Sequence, residues 1–227
     1  PLSEAACKAV FVDTIVDVKK KLMDINFTLP EKERNFAKLK VIKAYPVAGA
    51  TKKKRVIALY ESRTRQMVKR AAPGGEGYVI DHFDSTAVAH YLAHIDSAFT
   101  SSGTPLPDTF FNDSYEVYCA NWTPNLLTEF ENMHGYKLQD KFPEFLDGDA
   151  IVVSDYRETL GEMLLHNFTK QWTAWAHKHG AITRNQAHGS PANLIDCYAA
   201  VDIPEIEGFG LTDFGIKGLR KDPGKTR

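Results

Sequence analysis

Two stretches of the chain place carboxylate, amide and imidazole side chains directly after short apolar runs. They are TFFNDSYEV at 109–117 and AITRNQAHGSPANLIDCYAAVDIPEIE at 181–207. Strand ends that carry such clusters are how a parallel α/β barrel builds its active site. Two carboxylate-bearing strand ends in one chain also suggest glycoside hydrolysis, which needs an acid and a base on opposite sides of a sugar bond.

Glu116 is the carboxylate of the first stretch that could act as a general acid. It follows an aromatic, apolar run, and burial there would favour the protonated form that a general acid needs. Asp113 would lie on the same rim and contact the substrate. The alternative is that Glu116 is a surface carboxylate that caps the following turn, and spacing alone leaves both interpretations open.

Glu205 and Glu207 are the carboxylates of the second stretch, and they face the same side if the backbone there is extended. Two like charges repel unless a cation or a shared proton lies between them. The pair therefore fits either a Ca²⁺ site, since oxygen ligands suit that ion, or a catalytic residue with a supporting partner. An exposed acidic loop explains the pattern equally well.

Other side chains in these stretches are suited to binding a sugar. Arg184, Asn185, Gln186 and His188 follow an apolar run and could form hydrogen bonds with sugar hydroxyls. Trp122 follows the Glu116 stretch and could stack on a sugar face, although packing in the core is an equally good explanation for a large aromatic residue. These residues are expected to bind substrate rather than to transfer protons.

Residues 1–72 are predicted to form a β-rich accessory segment, because β-branched apolar runs dominate it. Residues 39–47 and 55–60 bracket a turn rich in glycine and lysine and predict a hairpin. Residues 66–71 are predicted to add a further strand, whereas residues 5–24 fit either a helix or a strand.

The glycine-rich segment 73–77 marks a boundary, after which the pattern changes. Residues 73–227 alternate short apolar runs with helical periodicity, which predicts parallel β/α units. The predicted strands are 78–80, 109–113, 181–185 and 199–203, and the predicted helices are 85–100, 125–134, 154–179 and 191–198. The fold class is therefore α/β, with part of a (β/α)8 barrel preceded by the accessory segment.

Composition argues against nucleic acid and membranes as partners. Lys and Arg number 28 and Asp and Glu 29, for a net charge of −1. The basic run Lys52–Arg55 is best explained as a solvated hairpin turn. No membrane span or signal peptide is visible, and three widely spaced cysteines form no zinc-binding pattern. Cys119 and Cys197 lie in apolar stretches and are expected to be buried thiols.

Several motifs, each weak alone, together resemble the α-L-rhamnosidases of glycoside hydrolase family 106. The resemblance covers roughly residues 60–220. The motifs are RQMVKRAAPGGEG at 65–77, DHFD at 81–84, FFNDSYEV at 110–117, SDYRETL at 154–160, RNQAHGSPANLID at 184–196 and DIPEIE at 202–207.

The resemblance implies a (β/α)8 catalytic barrel that hydrolyses α-L-rhamnosidic bonds with inversion, with calcium at the sugar-binding site. It also implies secretion or a periplasmic location in a bacterium. Carried over by motif, Glu116 would be the general acid. Glu205 or Glu207 would be a calcium, substrate or catalytic carboxylate.

Enzymes of this family are much longer than 227 residues. We therefore expect an internal fragment whose catalytic base lies outside it and whose partners include missing segments of the same polypeptide. The alternative is a non-catalytic, carbohydrate-binding remnant of such an enzyme.

Overall fold

The computed structural model describes residues 2–206. Its packing divides the chain into two compact units. Unit 1 comprises Pro1–Asp84 and Val117–Leu160, and unit 2 comprises Ser85–Glu116 and Gly161–Arg227. The domain boundary predicted at residue 73 stays a prediction. Within residues 2–206, no helix has the length and apolar character needed to cross a lipid bilayer.

Unit 1 contains an antiparallel sheet of three strands, β1 (Cys7–Asp17), β2 (Lys38–Pro46) and β3 (Lys53–Arg63), in the order β1-β3-β2. The predicted hairpin is confirmed as β2 and β3, and the ambiguous N-terminal segment is a strand. The central strand β3 holds a fully buried run at residues 56–59. The strands predicted at 66–71 and 78–80 are wrong, because those residues form only isolated bridges, such as Met67 with Tyr78.

The helices within residues 2–206 follow the apolar periodicity of the sequence. They are α1 (Ser85–Ser102), α2 (Leu126–His134), α3 (Phe142–Leu146), α4 (Ala150–Leu164), α5 (Gln171–Lys178) and α6 (Leu194–Ala199). A π-helical segment, Leu165–Lys170, joins α4 to α5, so the predicted long helix is confirmed. It begins earlier than predicted, because the Asp149 carboxylate accepts hydrogen bonds from the N–H groups of Ile151 and Val152 and caps α4.

Unit 2 contains a parallel sheet, β4 (Thr109–Asn112), β5 (Ile182–Asn185) and β6 (Ile203–Pro204), in that order. Helix α5 packs beside it, with the rings of Phe110 and Trp175 4.8 Å apart. The predicted parallel β/α arrangement is confirmed for these strands. The last strand is shorter than predicted, because α6 continues to Ala199.

Candidate active site

The carboxyl ends of β4, β5 and β6 meet at one edge of the parallel sheet, as the sequence predicts. Asn112 and Asn185 are register partners, and the Asn112 side-chain amide donates a hydrogen bond of 2.8 Å to Oδ1 of Asn185. The Gln186 N–H donates to the Asn112 carbonyl, and the Glu205 N–H donates to the Asn185 carbonyl. Backbone and side-chain bonds together therefore fix the positions of these polar groups.

Glu205 is the buried carboxylate of this edge, with 8 % of its surface exposed. Nε of Arg184 donates to Oε2, and the side-chain amide of Gln186 donates to Oε1 at 3.1 Å. The Arg184 guanidinium also lies over the ring of Phe111, 4.8 Å from its centroid. A cation and an amide donor both stabilise the ionised form of a carboxylate, so Glu205 is not part of an exposed acidic loop. Phe111 has no polar group, so the pattern of polar residues after β4 does not point to it, although it lies one position before Asn112.

A backbone hydrogen bond connects the loop after β4 to the loop after β5. The Tyr115 N–H donates to the His188 carbonyl at 2.8 Å. Gly189 has a φ of +80°, and a Cβ at this position would lie 2.5 Å from the Tyr115 carbonyl oxygen. Only glycine fits such a close approach with a left-handed backbone, so Gly189 allows the two loops to lie this close together.

The exposed part of the site contains Asp113, Glu116 and His188. The Asp113 carboxylate accepts a hydrogen bond of 2.8 Å from the Ser114 N–H, so it is oriented by its own loop. Glu116 is exposed, and the burial that we expected for it is not found. Its loop position leaves it accessible to a ligand, and its role as an acid stays a prediction.

Trp122 belongs to unit 1 and is fully buried. Its indole N–H donates to the carboxylate of Glu61 at 3.2 Å. A buried ring cannot stack on a sugar, so the structure favours the core-packing alternative.

The two cysteines that were expected to be buried differ in the structure. Cys197 is buried as predicted, whereas Cys119 is exposed and has a φ of +60°. The prediction for Cys119 is wrong because its apolar neighbours end in a turn.

Asp202 stabilises the middle strand, β5, through hydrogen bonds with Thr183. Its carboxylate accepts hydrogen bonds from the Thr183 N–H at 2.7 Å and from His177 at 2.9 Å. The backbone N–H of Thr183 is the main cause that lowers the pKa of Asp202. The hydrogen bond between His177 and Asp202 links the end of α5 to the segment before β6, which helps to hold Glu205 in place.

The described residues do not by themselves form the calcium site that the resemblance implies. Glu205 already faces the positive charge of Arg184, which opposes a second cation at the same carboxylate. Glu207, the other expected ligand, lies outside the described residues. The arrangement is therefore a set of hydrogen-bonding groups beside one buried carboxylate that accepts from Arg184 and Gln186.

A solved structure, that of a rhamnosidase from Novosphingobium sp. PP1Y, resembles the chain with a TM-score of 0.61 at 24 % sequence identity. The match covers 69 % of this chain and 16 % of that structure, and it supports a shared fold over the matched part. A curated protein of Formosa agariphila, named "Putative beta-glucuronidase", is 26 % identical over 163 residues, which are 67 % of this chain. The chain spans 14 % of that relative's length.

The family model described as alpha-L-rhamnosidase, Glyco_hydro_106, matches residues 47–207. The matched range contains β4, β5 and β6 with all the polar residues described at their ends. The chain therefore belongs to glycoside hydrolase family 106.

Proposed function

We propose that this chain supplies part of the sugar-binding and catalytic site of a glycosidase that hydrolyses terminal α-L-rhamnosidic bonds with inversion. The observation that carries the proposal is the set of Asn112, Asn185, Arg184 and Glu205 at the carboxyl ends of adjacent parallel strands. Barrel enzymes place their active sites at such ends. The three strands would accordingly be part of a (β/α)8 barrel, completed by other segments of the same polypeptide.

The two carboxylates have environments that suit different roles. Arg184 and Gln186 hold Glu205 in the ionised form, which suits a base or a fixed acceptor for sugar hydroxyls and does not suit a proton donor. Glu116, in the accessible loop after β4, is the proposed general acid. In an inverting site the two carboxyl groups lie about 6.5–9.5 Å apart, with water activated on the face opposite the leaving oxygen.

The proposed substrate is a rhamnose-containing glycan, which the site would recognise through the neutral hydroxyl groups of the sugar. Arg184 is already paired with Glu205, so the cation at this edge is engaged within the protein. A uronic acid would bring its own carboxylate towards Glu205, and like charges repel. We therefore expect cleavage of rhamnosides in preference to glucuronides.

The test, in the polypeptide that also carries the completing segments, is the release of free sugar from aryl and natural α-L-rhamnosides and from β-glucuronides. Glu116→Gln is compared with Glu131→Gln, which changes an exposed glutamate of α2 in unit 1. Loss of at least about 100-fold in kcat with Glu116→Gln alone supports the acid role. Equal rates for both variants on a natural rhamnoside would overturn it.

A non-catalytic role in carbohydrate binding is the second candidate. The exposed position of Glu116 favours it, since a general acid is usually desolvated. Calorimetry with L-rhamnose on the same chain separates the two candidates. Rhamnose binding that requires Arg184, without turnover, supports the binding role.

Calcium and location stay proposals with their own tests. Hydrolysis or rhamnose binding that falls with a chelator and returns with Ca²⁺ would support a calcium requirement involving Glu205 or Glu207. We propose a secreted or periplasmic location in a bacterium, and fractionation of cells that produce the protein would test it. An effect of chelator that Zn²⁺ restores and Ca²⁺ does not would contradict the calcium proposal.

A further inference from the structure

Unit 1 holds a cluster of one histidine and two carboxylates that the proposed function does not use. His134 is the last residue of α2, and Asp155 and Glu158 lie three residues apart on α4. Residues at that spacing share one face of a helix. The ligand atoms of the three side chains lie within 4.8 Å of one another.

The hydrogen bonds of Thr159 assign the tautomer of His134. The Thr159 hydroxyl donates to the Asp155 backbone carbonyl at 2.8 Å. Its oxygen lies 3.1 Å from Nε2 of His134, and while the hydroxyl donates to Asp155 this oxygen can only accept from an Nε2–H. In the neutral ring Nδ1 then carries a lone pair, which is the form in which histidine binds metals.

Nδ1 of His134 faces Oδ1 of Asp155 across 3.8 Å. This separation exceeds the range of about 2.7–3.2 Å for a hydrogen bond, so the two atoms do not form one. Two ligands of one tetrahedral zinc ion lie about 3.4 Å apart, given bonds of about 2.0–2.2 Å. The gap is therefore closer to that of two metal ligands than to that of a hydrogen bond.

A second set of contacts orients the donors. The Tyr136 hydroxyl donates to Oδ2 of Asp155 at 2.7 Å, which leaves Oδ1 towards His134. The His134 ring packs against Phe130, with centroids 4.8 Å apart. Such outer contacts are typical of metal ligands, because they fix ring and carboxylate directions before the ion binds.

The charge of the cluster also suits a divalent cation. With a neutral imidazole, the two carboxylates carry two negative charges. Among residues 2–206, no lysine or arginine forms an ion pair with Asp155 or Glu158. Glu158 is exposed, so its side chain can move the short distance needed to close the site.

We propose that His134, Asp155 and Glu158 bind a divalent transition-metal cation, with Zn²⁺ as the best match. One imidazole nitrogen and two carboxylate oxygens are ligands that zinc accepts, with water as the fourth. Ca²⁺ and Mg²⁺ prefer oxygen ligands alone and are expected to bind this site more weakly. The site uses none of the residues at the strand ends, so it stands or falls independently of the proposed glycosidase activity.

The test is calorimetric titration of the metal-free, untagged 227-residue chain with Zn²⁺, and separately with Ca²⁺ and Mg²⁺. We expect each chain to bind one Zn²⁺ ion tightly and to keep it in a large excess of Ca²⁺. Co²⁺ in place of Zn²⁺ should show the visible absorption of a tetrahedral site. Binding weaker than about 100 μM for the unmodified chain would overturn the proposal.

Variants locate the site. His134→Gln and Glu158→Gln should each weaken Zn²⁺ binding at least tenfold, and Tyr136→Phe, which removes only the bond to Asp155, by about 10- to 100-fold. The matched control is His166→Gln, because His166 faces Glu162 at 3.4 Å in a pair that has no third ligand among residues 2–206. Glu158 is exposed, so its variant tests the site without disturbing the core. Unchanged affinity in Glu158→Gln and His134→Gln would place the zinc elsewhere and refute the proposal.

Discussion

Asn112 and Asn185 are paired twice, once as register partners of β4 and β5 and once by a 2.8 Å bond between their side-chain amides. Asn112 also donates to the backbone carbonyl of Asp113 at 3.0 Å. The bond pattern sets which way the two amides point. Two neighbouring strand ends thus present their polar groups in one fixed orientation, as a binding site for hydroxyls requires.

Asn185→Ala should destabilise unit 2 by about 1–3 kcal/mol, because it leaves the Asn112 amide short of a buried acceptor. Asn185 is 3 % exposed, so water cannot replace the lost bond without entering the structure. Denaturant unfolding measures the change. Asn132→Ala on the exposed surface of α2 is the control and should change stability by no more than about 0.5 kcal/mol. Equal effects would mean that the paired amides contribute nothing.

Gly189→Ala should destabilise the protein more than Gly180→Ala. Both glycines have left-handed backbones, with φ of +80° and +73°. An added Cβ at Gly180 meets nothing within 4 Å, so its cost is the backbone penalty of about 1–2 kcal/mol. At Gly189 the Cβ also collides with the Tyr115 carbonyl and must push the two site loops apart. Urea unfolding and rhamnose affinity should both separate the variants, and matching values would contradict the close approach.

Asp81 and His82 should have opposite effects on the pH dependence of stability. Burial raises the pKa of Asp81 to about 7, and burial lowers the pKa of His82 to about 4. Between pH 4 and 6.5, the folded protein holds a proton on Asp81 that the unfolded chain lacks, and the unfolded chain holds one on His82 that the folded protein lacks. The two contributions therefore cancel over this range.

Single substitutions should expose each contribution. In Asp81→Asn only His82 remains, so stability relative to wild type should rise with pH by about 1.4 kcal/mol per unit between pH 4.5 and 6. In His82→Gln only Asp81 remains, and relative stability should fall by a similar amount over the same range. Guanidinium unfolding at several pH values measures both slopes. Slopes of the same sign in the two variants would contradict the assignment.

Trp122→Phe tests whether Trp122 binds sugar or fills the core. The variant keeps an aromatic ring but loses the N–H that donates to Glu61. We expect a loss of about 1–3 kcal/mol in stability, because a buried carboxylate loses a partner. Rhamnose affinity should be unchanged. A large loss of rhamnose affinity in a variant of normal stability would show that Trp122 belongs to the binding site.

Local patterns were enough to predict the elements whose apolar residues follow one period. Helix α1 and the β2–β3 hairpin appear where that spacing places them. The short strand β6 was misplaced, because α6 and β6 share an apolar run and only tertiary packing decides where one ends. Residues 66–71 have strand-like composition, but within the described range 2–206 their pairing is limited to the bridge between Met67 and Tyr78.

The site was predictable to the extent that it depends on the order of strands and loops. Parallel strands put their carboxyl ends on one edge, so the placement of Asn112 and Asn185 at the same edge follows from the sequence pattern. The pairing of Arg184 with Glu205 does not, because it depends on β5 lying next to β6. The cluster of His134, Asp155 and Glu158 brings together side chains of two helices, and no short sequence motif predicts it.

The π-helical segment Leu165–Lys170 gives the long helix one more residue than a regular α-helical path would use. The rotation of α5 about the helix axis therefore depends on this extra residue. Removing one residue there would turn α5 by about 100° and draw it back by about 1.5 Å. Trp175 would leave Phe110, and His177 would leave Asp202. The helix should thus tolerate changes of side chain in this segment far better than a change of length.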